Sequence, residues 1–326
     1  MKAILKSIFA ACIVLAATAA QAEEWIMASG YPDANFHTKN IRMFIDEVDK
    51  NTNGELKITL HPNDTLIKLD AVKRAVQSNQ IPIGEIRLGV YGNEDSMYIL
   101  DGLPFIAPDY DSSWQLKEAQ KPYFDKLFAD NGMRILFYSP WPGQGFYTKF
   151  KVNTVDDFKD KKLRIYSTVT KQMGEMLGFN ATILPFAEIP QAFSTGLIEA
   201  LFTSPQTGID IQAWDNTSHF TYAGANFTKN AVIVNERAWS KLPENVQQAV
   251  LAAAEAAEKR AYEMSKATTE EQIKVLAENG METADAPAAL VERMKAVGQA
   301  MMDDWRKEAS PEANAVLDNY LKMQGG

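Results

Sequence analysis

The chain has 326 residues and carries 33 lysines and arginines against 42 aspartates and glutamates, which gives a formal net charge of −9 at pH 7. An acidic chain has no general attraction for nucleic acids or anionic membrane surfaces, so neither is expected as a partner. The single cysteine, Cys12, excludes a disulfide framework and a metal site built from several thiolates.

Residues 1–22 have the three-part organisation of a cleaved secretory signal. Lys2 and Lys6 form a basic start, residues 8–17 are apolar, and small residues lead to a cleavage site after Ala22. The apolar run is shorter than the roughly 20 residues needed to cross a bilayer. Cys12 could suggest a lipid-anchored start, but the residues before it form a poor lipobox. The sequence therefore predicts a secreted mature chain that begins near residue 23 and contains no cysteine.

The mature chain is long enough for two domains, and its first two thirds alternate between strand and helix patterns. Strands are predicted at 25–28, 56–60, 81–90, 134–138, 162–166, 181–184 and 200–203. Helices are predicted at 36–52, 69–78, 112–131, 169–177 and 188–195. This alternation indicates α/β architecture with open, largely parallel sheets, which bind ligands at the carboxyl ends of their strands.

The last third is rich in alanine, glutamate, lysine and glutamine and predicts helices only. One helix is predicted over about 243–279, and Gly280 ends it. Two shorter helices are predicted at 287–307 and 311–323. At about 1.5 Å per residue the first would be about 54 Å long, more than the width of one domain. It must either bridge two domains or pack along the whole molecule.

Four stretches carry a resemblance to a known family, and they occur in the family's order along the chain. They read LDGLPFI at 100–106, DDFKDKKLRI at 156–165, LPFAEIPQAFSTGLIEA at 184–200 and WSKLP at 239–243. Together they resemble the solute-binding proteins of tripartite ATP-independent periplasmic (TRAP) transporters, of the DctP type. The resemblance implies a periplasmic-binding-protein type II-like fold, with two lobes of mixed or parallel sheet flanked by helices and a long helix bridging both lobes.

On this fold we expect the first lobe to comprise 23–145 plus about 226–250, and the second to comprise 146–225 plus about 280–326. The resemblance implies a monomeric periplasmic protein that captures a small organic acid by hinge closure and delivers it to TRAP membrane subunits. Sugar acids and aromatic acids are among the candidate ligands. No cofactor or metal is expected.

Two alternatives remain open, namely a ligand-binding partner of a sensor kinase and, with least support, a periplasmic hydrolase. The chain has no Gly-x-Ser-x-Gly, His-Glu-x-x-His or Gly-x-x-x-x-Gly-Lys motif. Its three histidines, His37, His61 and His219, lack metal-ligand spacing. The protein is therefore not expected to be an enzyme.

Arg164 is the principal candidate for binding an acid. It lies at the end of a short apolar strand, where a guanidinium presents parallel N–H donors to a carboxylate. From the residues alone, the alternative is a surface arginine paired with Asp156 or Asp160. In the resembled family the arginine of this Lys-Leu-Arg-Ile element clamps the ligand carboxylate, so the resemblance implies that role for Arg164.

The chain departs from the family pattern at 202–205, where Ser204 replaces an asparagine that often holds the ligand carboxylate. We expect Ser204 to face the ligand with a weaker contact. Phe186 opens a predicted helix and is a candidate for lining the site, although Glu188 can fill the helix N-terminus itself as a structural cap.

Glu85 and Arg87 interrupt an apolar strand and share one of its faces. Buried charges need partners, so the two side chains are predicted to pair across that face. One interpretation is that the two residues form a salt bridge at an exposed end of the strand. In the other, Arg87 is a second anion contact and Glu85 accepts a hydrogen bond from a ligand hydroxyl or amine.

The remaining candidates lie in predicted loops. Aromatic faces at an interdomain crossing can stack on a ring, and an amide there can hydrogen-bond to a ligand, although hinge and core packing explain these residues equally well. The candidates are Trp141, Gln144 and Phe146 in the crossing, Tyr31 and Asn35 in the first β–α loop, and Trp214 and Asn226 further along.

Overall fold

The computed structural model describes residues 22–325, so the predicted signal lies outside the described residues except for Ala22. The strands are β1 (Glu23–Ala28), β2 (Leu56–His61), β3 (Ile83–Arg87), β4 (Met133–Pro140), β5 (Gly145–Thr148), β6 (Lys162–Ile165), β7 (Asn180–Ile183), β8 (Ala200–Thr203), β9 (His219–Tyr222), β10 (Lys229–Asn235) and β11 (Glu282–Asp285). The helices are α1 (Phe36–Asn51), α2 (Leu69–Gln77), α3 (Tyr110–Asp130), α4 (Thr168–Met176), α5 (Ile189–Ser194), α6 (Pro205–Asp210), α7 (Glu236–Trp239), α8 (Glu244–Glu278), α9 (Ala288–Glu308) and α10 (Pro311–Gln324).

The strands form two sheets, and each sheet with its helices is called a lobe here. The first lobe has the strand order β2-β1-β3-β10-β4, and the second has β11-β9-β5-β8-β6-β7. In the first sheet β10 is antiparallel to both neighbours, and in the second sheet β5 is antiparallel to both of its neighbours. The sheets are therefore mixed rather than largely parallel.

The antiparallel strands result from the chain crossing between the lobes. Strand β4 of the first lobe leads through 141–144 into β5 of the second, and β9 leads back through 223–228 into β10. Trp141 and Thr228 join the two crossings, since the backbone N–H of Trp141 donates to the carbonyl of Thr228 at 2.8 Å. The two crossing segments therefore lie side by side.

Helix α8 makes a third connection between the lobes. Its 35 residues extend over about 52 Å. Val246 and Val250, near its start, pack in the core beneath the first sheet, whereas Leu276, near its end, packs in the core of the second. The predicted long bridging helix is present. None of the helices in residues 22–325 combines the length and apolar character that crossing a membrane requires.

The C-terminal helix returns to the first lobe. Helix α10 packs along α3, which lies against β4. Its buried residues include Leu317 and Tyr320, and the Tyr320 hydroxyl donates to the carbonyl of Ile106 at 2.7 Å. The predicted assignment of all of 280–326 to the second lobe is therefore wrong for α10, because its apolar face is buried against the first lobe.

Candidate ligand-binding site

A cavity lies between the two lobes, beside the crossing segments. It is small and partly open to solvent. Its wall is formed by Tyr31, Arg87, Trp141, Gln144, Arg164, Tyr166, Phe186, Thr203, Ser204, Thr207 and Thr228. Residues from both sheets and from both crossings therefore face the same space.

Arg164 projects into this cavity from β6. The side chain is only 1% exposed, and its Nε and Nη2 donate to the carbonyl of Leu184 at 3.1 and 2.9 Å. Among the described residues no carboxylate lies within ion-pair distance of it, so the alternative of a surface pair with Asp156 or Asp160 is wrong. The guanidinium is held by one backbone carbonyl and is buried without a compensating negative charge.

Arg87, at the end of β3, brings a second buried guanidinium to the wall. Its Nη2 is 3.7 Å from a carboxylate oxygen of the half-exposed Asp70, and its buried Nε has no partner in the described part of the chain. The guanidinium carbons of Arg87 and Arg164 lie 5.3 and 5.8 Å from the ring centroid of Tyr166. Burial, and then the charge of Arg87, lower the pKa of Arg164 to about 9, which leaves the group charged at neutral pH.

Hydroxyl and amide groups line another part of the cavity. Ser204 caps α6 by accepting from the backbone N–H of Thr207, and this places both side chains on the wall directly after β8. Tyr166 donates to Oε1 of Gln144 at 2.6 Å, while Nε2 of Gln144 donates to Thr228 at 3.2 Å. Gln144 therefore links the second lobe to the returning crossing.

An aromatic wall closes the other side. The ring centroid of Tyr31 lies 5.0 Å from that of Trp141 and 5.8 Å from that of Phe186, both in edge-on arrangements. Tyr31 belongs to the first lobe and Phe186 to the second, so this contact spans the opening between them. Burial raises the pKa of Tyr31, and its hydroxyl, which lies near the amide of Asn230, makes no hydrogen bond of normal geometry within residues 22–325.

Glu85 lies behind the wall rather than on it, and it forms no ion pair with Arg87. Ser29 donates to one of its carboxylate oxygens at 2.5 Å, and Asn230 donates to the other at 2.8 Å. Asn230 in turn accepts from the indole N–H of Trp141 at 2.9 Å. The predicted pairing of Glu85 with Arg87 is wrong because these neutral donors already satisfy the carboxylate. Burial raises the pKa of Glu85 to about 7.

Two aromatic candidates face cores instead of the cavity. Phe146 is fully buried among Phe158, Phe179 and Phe202, with centroid distances of 4.7, 5.8 and 4.8 Å. Trp214 packs against the core of the second lobe. Neither lines the cavity. In β5, adjacent side chains point to opposite faces, and the face on which Phe146 lies is covered by the chain.

The two asparagine candidates hydrogen-bond within the protein, although Oδ1 of Asn226 is buried without a partner among the described residues. The amide of Asn226 donates to the carbonyl of Gly102 at 2.6 Å. Asn35 caps α1 by accepting from the backbone N–H of His37, and its amide donates to Asp210 at 2.7 Å. Neither side chain is part of the cavity wall.

The structure brings seven of the twelve predicted residues to the cavity wall, and their contact with a ligand stays a prediction. The wall also contains four residues that the sequence did not indicate, Tyr166, Thr203, Thr207 and Thr228. Tyr166 lies two residues after Arg164, a spacing that places strand side chains on one face and would have indicated it. The described residues contain no cluster of three or more metal-ligating side chains.

Comparison with known proteins identifies a family. Residues 27–308 match the family model of DctP, bacterial extracellular solute-binding protein family 7. A curated relative, the C4-dicarboxylate-binding periplasmic protein DctP of Rhodobacter capsulatus, is 26% identical over 223 residues, a match that spans 64% of each chain.

Two solved structures are more similar. DctP7 of Bordetella pertussis, an extracytoplasmic solute receptor binding pyroglutamic acid, is 40% identical with a TM-score of 0.90, over 92% of this chain and 99% of that one. A marine metagenome TRAP solute-binding protein specific for pyroglutamate, solved with co-purified pyroglutamate, is 33% identical with a TM-score of 0.89, over 93% and 99%. The two-lobed fold and the resemblance drawn from the sequence motifs are confirmed.

Proposed function

Because the chain belongs to the DctP family of bacterial extracellular solute-binding proteins, we propose that it is the periplasmic receptor of a TRAP transporter and that its ligand is pyroglutamate. The family establishes solute binding, and the three relatives described above bind organic acids. Pyroglutamate is favoured because both of the solved structures described above bind it, at 40% and 33% identity.

The pair of buried guanidiniums on one cavity wall is the observation that supports an acidic ligand. Arg164 and Arg87 are 1% and 8% exposed, and neither has a buried carboxylate as a partner among the described residues. An uncompensated buried charge costs several kcal/mol. A bound carboxylate supplies the missing charge, and two parallel N–H···O bonds fix its direction.

The rest of the wall suits a small, flat ring that carries a carbonyl group. Tyr31, Trp141 and Phe186 offer aromatic surface to the faces and edges of such a ring. The unpartnered Nε–H of Arg87 and the hydroxyl of Tyr31 are free to donate to a ring carbonyl oxygen. We therefore assign the ligand carboxylate to Arg164 and the lactam carbonyl to the side of Arg87 and Tyr31.

Capture follows from the division of these groups between the lobes. Arg164 and Phe186 come from the second lobe, whereas Arg87 and Tyr31 come from the first. A ligand that touches both sets has more contacts in the closed arrangement than in an open one, so it shifts the population toward closure. The closed form would then deliver its ligand to the TRAP membrane subunits.

Titration calorimetry with L-pyroglutamate tests the proposal, with L-pyroglutamamide as the matched control. The amide keeps the ring and the lactam but lacks the carboxylate, so we expect saturable one-to-one binding of the acid and no measurable binding of the amide. Recovery of unchanged ligand afterwards, checked by mass spectrometry, tests the absence of catalysis. Equal binding of acid and amide, or no binding of the acid, would contradict the proposal.

A further inference from the structure

We propose that the cavity selects acids whose ring heteroatom is uncharged and rejects analogues that carry an ammonium group next to the carboxylate, with Arg87 as the residue that sets this selectivity. The inference rests on the proposed function and adds a charge rule to it. Under this rule the receptor takes the lactam acid and leaves proline, which has the same ring size and the same carboxylate.

The charge of the wall carries the inference. Of the eleven wall residues, Arg87 and Arg164 are cationic, and no aspartate or glutamate of residues 22–325 belongs to the wall. The other nine are neutral hydroxyl, amide or aromatic side chains. An α-ammonium has to sit beside the carboxylate that Arg164 holds, so it shares a buried space with two like charges. Repulsion between like charges is strong where water is excluded.

The carboxylates of Glu85 and Asp210 lie outside the cavity wall and already have hydrogen-bond donors within the protein. Both oxygens of Glu85 accept hydrogen bonds, from Ser29 and Asn230. Asp210 likewise accepts hydrogen bonds from Asn35 and Gln206, at 2.7 Å each.

Within residues 22–325, Asp70 is the only carboxylate that comes within ion-pair distance of Arg87. It is half-exposed, and its nearest oxygen is 3.7 Å from the guanidinium, which is longer than a hydrogen bond. It lines the neighbouring open cleft rather than the ligand cavity, and that cleft shares only Arg87 and Tyr166 with the cavity. An ammonium inside the cavity therefore has no anionic partner of its own.

Neutral partners are available for an uncharged ring. A lactam oxygen accepts from the unpartnered Nε–H of Arg87 and from the Tyr31 hydroxyl. A lactam N–H is a single donor, and the wall hydroxyls of Thr203, Ser204 and Thr207 offer acceptors. An ammonium in the same place can donate to the same hydroxyls, but it loses its hydration and is repelled by both guanidiniums.

The test compares three five-membered-ring acids on the wild-type protein by titration calorimetry. They are L-pyroglutamate, L-proline and tetrahydrofuran-2-carboxylate, which has an uncharged ring oxygen and no ring carbonyl. Comparing the last two separates the ammonium charge from the missing carbonyl. We expect proline to bind at least a hundredfold more weakly than tetrahydrofuran-2-carboxylate. Proline binding within threefold of it overturns the inference while leaving an acid receptor in place.

Substitution of Arg87 tests whether this residue sets the selectivity. In Arg87→Gln, the ratio of the affinity for tetrahydrofuran-2-carboxylate to the affinity for proline is expected to shrink at least tenfold, because one of the two positive charges is removed. Arg87→Lys keeps the charge and should keep the ratio, and thermal unfolding of each variant checks that it is folded. An unchanged ratio in folded Arg87→Gln contradicts the role of Arg87. Absence of pyroglutamate binding to the wild type would instead contradict the proposed function, and the charge rule with it.

Discussion

The side-chain amide of Asn35 donates a 2.7 Å hydrogen bond to the carboxylate of Asp210, and this contact joins the first β–α loop of one lobe to helix α6 of the other. Gln206 donates to the second oxygen of Asp210 and accepts from Gln272 of α8. The connection therefore runs from the first lobe through α6 to the bridging helix, and Asp210 lies about one helical turn from the cavity residue Thr207.

Asp210 makes the stability of this arrangement dependent on pH. Burial raises its pKa from 3.8 to about 6, against the opposing effect of its two amide donors. A raised pKa means that the protonated form is favoured in the folded protein, so the contribution to stability is present below pH 3.8 and is lost as the pH rises through 6. Relative to Asp210→Asn, the wild type should lose about 2–3 kcal/mol of unfolding free energy between pH 4 and pH 7.

Urea unfolding at a series of pH values measures this difference. The exposed Asp215 provides the control, since Asp215→Asn removes the same charge from a side chain outside the connection. If the unfolding free energies of the wild type and Asp210→Asn changed with pH in parallel, burial of this carboxylate would not contribute to the pH dependence of stability.

Arg164→Ala tests the proposed carboxylate contact. Truncating one side of a desolvated charge pair typically costs about 2–5 kcal/mol. At about 1.4 kcal/mol per tenfold, the affinity for pyroglutamate should fall by about 30-fold to several-thousand-fold. Lys162→Ala is the control, because Lys162 lies on the same strand but is exposed and donates to the carbonyl of Gly196. A loss below threefold in Arg164→Ala, measured by calorimetry, would reject the assignment.

Glu85→Gln should change the pH dependence of stability in a higher pH range. Burial raises the pKa of Glu85 from 4.5 to about 7, so its contribution is present below pH 4.5 and is lost as the pH rises through 7. The wild type should lose about 2–3 kcal/mol relative to Glu85→Gln between pH 5 and pH 9. The neutral amide still accepts one hydrogen bond, and the Ser29 hydroxyl can turn to accept the other. Chemical denaturation of both proteins at pH 5, 7 and 9 tests this prediction. A difference in unfolding free energy between them that stays constant over this range would contradict it.

Substitutions of Phe146 and Phe186 distinguish a side chain that supports the core from one that lines the cavity. Phe146→Ala removes a fully buried ring from a cluster of phenylalanines and should reduce the free energy of unfolding by about 3–5 kcal/mol. The folded fraction should keep its ligand affinity. Phe186→Ala should show the reverse, with weaker ligand binding and a smaller loss of stability, because its ring is partly exposed on the cavity wall. Denaturation and calorimetry on both variants provide the comparison, and an interchange of the two effects would contradict it.

The buried ion pair of Lys229 with Asp101 anchors the returning crossing. The Lys229 ammonium donates to Asp101 at 2.9 Å and to Gln120 at 2.7 Å, and both charged groups are buried. Asp101→Ala should cost about 3–5 kcal/mol of unfolding free energy, because it leaves a buried lysine without its counter-charge. Asp101→Ala combined with Lys229→Met should be more stable than Asp101→Ala alone. A double variant that unfolds more readily than the single one would contradict this view of the pair.

Local patterns in the sequence were sufficient for much of this protein. Apolar periodicity indicated α1, α2 and the long helix α8 with their ends within about two residues, since amphipathic spacing and Gly280 act over short distances. Motif resemblance led to Arg164, and the structure brings its guanidinium to the cavity. The strands β5, β9, β10 and β11 were not predicted. Three of them have four residues each, a length they share with the predicted strands β6, β7 and β8, so length alone does not explain why they were missed. Strand β10 is buried along its whole length and does not alternate.

Only the tertiary structure decided which of the candidate side chains share a cavity. Trp141 lines it and Phe146 does not, although only four residues lie between them. The direction of each side chain depends on how the crossing enters the second sheet. Glu85 likewise binds Ser29 and Asn230, which are 56 and 145 residues away. Local propensity arises from neighbouring residues and can be read along the chain, whereas burial, charge compensation and the choice of partner arise from segments that meet only when both lobes have folded.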